Sequence, residues 1–215
     1  MDSCVTRFTV RQRGAQAVSF VILSVLFFTV GCGRVKSYIV DPEVSSAAAI
    51  EQYDKNGDSL LDESELKACP ALAGALRAYD ESKDKKLSRE EIAAQIKDMY
   101  ERGSGLVSLD CTVTLDGAPL SGATVRFIPE KFLGDEIKAA EGVTNSGGYA
   151  SMAIAPEELP KELRRHSFLR VGIYRVEITH PGKRIPAKYN TDTELGFEFH
   201  ETNHVQPPVF HLVSK

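Results

Sequence analysis

The sequence predicts two folded modules behind an N-terminal address segment: an all-α module over residues 41–103 and an all-β antiparallel sandwich over residues 104–215. Three observations carry this. Two acidic twelve-residue loops, 54–65 and 80–91, each lie between helix-forming stretches. Beyond residue 105 the periodicity becomes two: Val107, Leu109, Cys111, Val113 and Leu115 alternate with Ser108, Asp110, Thr112 and Thr114. Turn formers such as Asp116-Gly117 and the run from Asn145 to Gly148 then divide the remainder into about seven short strands.

The chain has 215 residues, 42% hydrophobic and 26% charged, enough for one medium domain or two small ones. Acid is unevenly placed. Residues 41–103 hold 15 acidic and 9 basic side chains, a net of −6, whereas residues 104–215 hold 14 and 12, a net of −2. No basic stripe with interleaved aromatics occurs, which argues against nucleic-acid binding.

Residues 1–31 carry Arg7, Arg11 and Arg13, then a largely apolar run ending in Thr29-Val30-Gly31-Cys32. The segment resembles a bacterial lipoprotein signal peptide, with Thr29 standing where Leu is commonest. The resemblance implies a lipidated Cys32, a membrane partner, and a tether over residues 32–40. The alternatives are an uncleaved anchor or plain secretion; the apolar run from Val18 to Val30 has 13 residues, short of the ~20 that span a bilayer. Gly33 is not the aspartate that retains some lipoproteins at the inner membrane, so the expected place is the cell envelope, at the outer membrane or the cell surface. Of the cysteines outside the leader and Cys32, Cys69 and Cys111 are expected to be buried thiols rather than a disulfide, because Cys111 lies on the apolar face of its strand.

The α module reads as four short helices. Asp41-Pro42-Glu43 combines a cap, a proline at the first helical position and an early acid. Pro70 starts the third helix, and Ser88 with Glu91 forms a capping box for the fourth, which places Ile92, Ile96 and Met99 on one face. The loops between these helices, with Tyr53 and Tyr79 just before them, resemble an EF-hand pair of bacterial secreted proteins. That resemblance implies Ca²⁺ as cofactor. In loop one the ligands would be Asp54, Asn56, Asp58, the Leu60 carbonyl, Asp62 and Glu65; in loop two, Asp80, Ser82, Asp84, the Lys86 carbonyl, Ser88 and Glu91. Leu61 and Leu87 would meet in a short bridge. The sixth position, glycine in the family, is Ser59 in one loop and Lys85 in the other, which should weaken binding several-fold. Loop two, with Lys83, Lys85 and Lys86, should be the weaker site.

The stretches LDGAPLSGATVRFIPE from Leu115, VTNSGGYASM from Val143, GIYRVEIT from Gly172 and IPAKYN from Ile185 resemble a carboxypeptidase regulatory-like, transthyretin-like sandwich. This implies a fold and a non-catalytic role. Residues 131–139 and 156–169 are insertions relative to the shortest members; they read first as solvated loops, and otherwise as the place for an envelope protein or polysaccharide partner. The expected function is therefore a calcium-binding, lipid-anchored envelope protein with a structural or adhesive role and no enzyme activity. The alternative is calcium-dependent sensing or recruitment. A remote alternative, a zinc hydrolase, rests on His200-Glu201-Thr-Asn-His204; its context reads as a strand, on which positions i and i+4 lie roughly 13 Å apart, too far to share a metal.

Overall fold

The computed structural model describes residues 39–101, 105–200 and 207–215. The leader, Cys32, most of the tether, the boundary at 103/104, Glu201 and His204 lie outside the described residues. Four helices come first. α1 (Pro42–Tyr53) is capped by Asp41, whose side chain accepts from the Glu43 and Val44 amides. The two-residue strand β1 (Leu60–Leu61) leads to α2 (Glu63–Leu66) and α3 (Pro70–Tyr79), and β2 (Leu87–Ser88) leads to α4 (Arg89–Glu101). The capping box at Ser88 and Glu91 forms as expected: the Ser88 amide donates to Glu91 Oε2 at 2.9 Å and the Glu91 amide to Ser88 Oγ at 3.2 Å. Ile92, Ile96 and Met99 are buried.

The strands follow in quick succession: β3 (Leu106–Val107), β4 (Asp110–Leu115), β5 (Ala118–Pro119), β6 (Thr124–Pro129), β7 (Ala140–Val143), β8 (Tyr149–Ser151), β9 (Ala153–Ile154), β10 (Leu169–Arg170), β11 (Gly172–Thr179), β12 (Gly196–Phe199) and β13 (Val209–Leu212). Five of them form one sheet in the order β12-β11-β6-β7-β9. A second sheet runs β13-β4-β5, with β8 also on β4. The inner faces meet at Phe127, whose ring lies edge-on to Tyr174 and Phe197 of its own sheet and to Phe210 of the other, with centroids 5.6–6.1 Å apart. A sandwich results.

Two expectations need correction. The run at 106–115 is not one strand: Leu106–Val107 pairs with β10, while Asp110–Leu115 joins the second sheet. The pieces serve different sheets, so the chain breaks between them. Nor is the sandwich wholly antiparallel. β13 runs parallel to β4, with Val209 opposite Thr112 and Leu212 opposite Leu115. A hairpin enforces antiparallel pairing, but β13 reaches β4 from the far end of the chain and is free of that constraint.

The helices do not stand apart from the sheets. The described residues form one compact unit, and α3 packs on β12 and β11. On β11, Tyr174, Val176 and Ile178 face the second sheet. Ile173 lies on the opposite face and is nevertheless fully buried, because the helical layer covers it. Tyr100 of α4 donates to the Val171 carbonyl at 2.8 Å, tying the fourth helix to the start of β11. Cys69 and Cys111 are both buried and free, as expected; the Cys111 thiol lies 3.8 Å from Met152 Sδ.

A buried hydroxyl holds the turn between β5 and β6. Thr144 Oγ1 donates to the Leu120 carbonyl at 2.5 Å and accepts from the Ala123 amide at 2.8 Å. Thr144→Val keeps the shape but leaves both groups buried without that partner. Chemical denaturation should show a loss of about 1–3 kcal/mol.

Candidate metal centre

Both loops begin at a helix C-terminus and end in the first turn of the next helix. Tyr53 is the last residue of α1 and Asp54 its C-cap; Tyr79 is the last of α3 and Asp80 its C-cap. The loops are held side by side by β1 and β2, with Leu60 opposite Ser88 and Leu61 opposite Leu87. Leu61 and Leu87 are fully buried, so the bridge closes over the core.

The backbone turns the same way in both. At the fourth position Gly57 and Lys83 have φ of 79° and 63°, and at the sixth Ser59 and Lys85 have φ of 65° and 66°. Lys83, like the two residues at the sixth position, is a non-glycine in the left-handed region. Ser59→Gly should relieve roughly 1 kcal/mol of backbone strain. Because the ion-free loop already carries this strain, urea unfolding should show the relief as a gain in stability.

Loop one gathers its acids. Asp54, Asp58 and Glu65 each offer an oxygen, and these lie within 4.8 Å of one another. Among the described residues this is the cluster of His, Cys, Asp or Glu so arranged. Glu65 is buried; its Oε1 accepts from the Lys55 amide at 2.7 Å and the Asn56 amide at 3.1 Å, and its Oε2 from the Asp62 amide at 3.0 Å. One carboxylate thus spans both ends of the loop. Asp54 accepts from Gly57 and Ser59, Asn56 Oδ1 from Asp58, and Asp58 Oδ1 from Leu60. Asp62 caps α2, and the Ser64 hydroxyl followed by the Glu65 amide holds its carboxyl below the usual range. Carboxylates held by amides of their own loop suit a hard cation.

In loop two, Asp80 accepts from the Asp84 and Lys85 amides and from the Ser82 hydroxyl. Glu91 accepts from the Ser82 amide and from Ser88, and Asp84 from the Lys86 amide. The hydrogen bonding parallels loop one, but its acids do not form a comparable three-residue cluster.

Several placements were not expected from sequence. The Lys86 ammonium reaches across to loop one and contacts Asp58 Oδ2 at 2.8 Å, lowering the Asp58 pKa and raising its own. The pair is exposed and screened by solvent. Tyr53 donates its hydroxyl to Glu130 Oε2 at 2.7 Å, and Glu130 is only 4% exposed. Burial raises the Glu130 carboxyl, against the lowering effect of Tyr53, Arg175 and Cys69. At loop two, burial and then the neighbouring Glu198 charge raise the Tyr79 hydroxyl. The Tyr79 hydroxyl is thus buried beside Glu198. Alternation alone would put Glu130 and Glu198 on the outer face of their sheet, in water; the covering helices carry no local mark that would have revealed the pairing.

His200 follows β12 and is 3% exposed, with Nε2 3.2 Å from Asp98 of α4. It therefore sits at a strand end rather than on a helix. Compared with family models, with curated proteins and with solved structures, the chain matches none of them.

Proposed function

We propose that this chain is a calcium-binding, lipid-anchored protein of the cell envelope, non-catalytic, in which an EF-hand pair orders the helical layer that covers a transthyretin-like sandwich. The observation that carries the calcium reading is the convergence of Asp54, Asp58 and Glu65 to within 4.8 Å. The left-handed turns at positions four and six of both loops and the bridge between them add support. A structural or adhesive role is favoured over opening to expose a groove, because the helices already bury residues against the sheet: Ala71, Leu72, Ala75 and Tyr79 of α3 are all buried. Membrane attachment through Cys32 rests on the leader's resemblance alone, and an envelope protein or polysaccharide on the surface loops remains part of the proposal.

Calorimetric titration of the full chain with CaCl₂ tests the reading. The expected result is one tighter event removed by Glu65→Gln and a weaker one removed by Glu91→Gln, the weaker in the millimolar range typical of extracellular sites. Absence of any event up to about 10 mM Ca²⁺, an order of magnitude beyond that range, overturns it.

A further inference from the structure

The two tyrosines that precede the loops converge on one place in the five-stranded sheet. Tyr53, joined directly to the first acid of loop one, donates to Glu130 Oε2. The Glu130 amide donates to the Ile173 carbonyl of β11 at 2.9 Å. Tyr79, joined to the first acid of loop two, lies against Glu198, and Glu198 is the register partner of Ile173 on the other side of β11. Glu130, Ile173 and Glu198 thus form a row across three chain segments, on the face that the helices cover.

Both ends of the loop-one link are fixed. The Tyr53 ring packs edge-on to Phe132, with centroids 6.2 Å apart, and Glu130 follows β6 directly, which is hydrogen-bonded along β11. Asp54, at the near end, holds the Gly57 and Ser59 amides. An ion that takes up the remaining lone pairs of the Asp54 carboxylate would fix it in place, and with it the two amides it holds and the peptide bond that joins Asp54 to Tyr53.

We infer that Tyr53 and Glu130 form a strut that transmits cation occupancy of loop one to the β11 rung at Ile173. The inference rests on the calcium reading above. Loop and sheet are then energetically coupled through a named contact: the Glu130–Ile173 rung tightens when the loop fills, and by reciprocity a tightened rung raises the loop's affinity. Tyr53 is a positioning residue, since its hydroxyl is buried on Glu130 and is not among the proposed ligands.

Amide hydrogen exchange of the full chain with and without CaCl₂ tests this. Gly57 and Ser59 report loop one, and Glu130 reports the strut's far end. Asp116, whose amide donates to the Leu212 carbonyl in the second sheet, controls for general stabilisation. In the unaltered chain Ca²⁺ should slow exchange at Gly57, Ser59 and Glu130 by roughly five-fold or more beyond any change at Asp116. In Tyr53→Phe the loop amides should still respond while Glu130 responds no more than Asp116. Glu130→Gln, which keeps an acceptor for the hydroxyl, should retain the response, and Glu130→Met, which does not, should lose it even if Tyr53→Phe is too unstable to measure. A Glu130 response unchanged in Tyr53→Phe or in Glu130→Met overturns the strut. A response in the unaltered chain confined to Gly57 and Ser59 overturns it while leaving calcium binding intact; no response at Gly57 or Ser59 removes both.

Discussion

If loop one binds Ca²⁺ as proposed, calcium at 100 times its dissociation constant should raise the unfolding free energy of the full chain by about 2.7 kcal/mol, and Glu65→Gln should remove most of that increment. For a chain of this size the shift corresponds to roughly 5–10 °C in the melting temperature. Glu65 is the decisive position because its carboxylate alone touches both ends of loop one, accepting from Lys55, Asn56 and Asp62. An amide in its place has one acceptor oxygen where the carboxylate has two, and cannot present the bidentate negative edge that a hard cation selects. The comparison that matters is the calcium-dependent increment, since Glu65→Gln also weakens the loop's own hydrogen bonds. Differential scanning calorimetry at two Ca²⁺ concentrations measures both, and an equal shift in the parent and Glu65→Gln would place the ion elsewhere.

Gly196→Ala should destabilise the chain by about 1–3 kcal/mol and loosen the helical layer, through overpacking that the surroundings cannot absorb. A Cβ on Gly196 would overlap the Ala71 nitrogen and the Pro70 carbonyl carbon at the start of α3. These are backbone atoms with no rotamer to change, so α3 would have to move as a body away from β12. The control lies on the same helix. A Cβ on Gly74 meets nothing within 4 Å, so Gly74→Ala should stabilise by roughly 0.5–1 kcal/mol through the helix preference for alanine. Urea unfolding of the two variants gives opposite signs if the helix and sheet meet as described; a neutral Gly196→Ala would mean that the contact yields.

The local signals in this chain were strong where one residue type satisfies one backbone need. Asp41-Pro42 and Ser88 with Glu91 placed helix starts correctly because a cap is a contact between near neighbours. Ala123, Val125 and Phe127 alternate in the sequence and all three are buried, because alternation reports a buried face whatever lies opposite. Alternation carries no sign of the burial of Ile173 and Glu130 or of the contact at Glu198, since it does not say what covers the outer face of the sheet. The break between β3 and β4 and the parallel seat of β13 were equally hidden, because both depend on strands far away in the chain. Lys86 was read as a burden on its own loop, whereas its ammonium reaches Asp58 28 residues earlier.

The sequence alone therefore determined the helices and their caps, the spacing of two acidic loops, and the alternating strands. Each of these is set within a few residues by sterics, hydrogen bonding or periodicity. Only the tertiary structure decided that the helices cover the outer face of the five-stranded sheet, that Tyr53 reaches Glu130, and that Asp54, Asp58 and Glu65 come within 4.8 Å of one another. Those outcomes depend on how separate segments share one buried interior, and burial is a property of the packed whole.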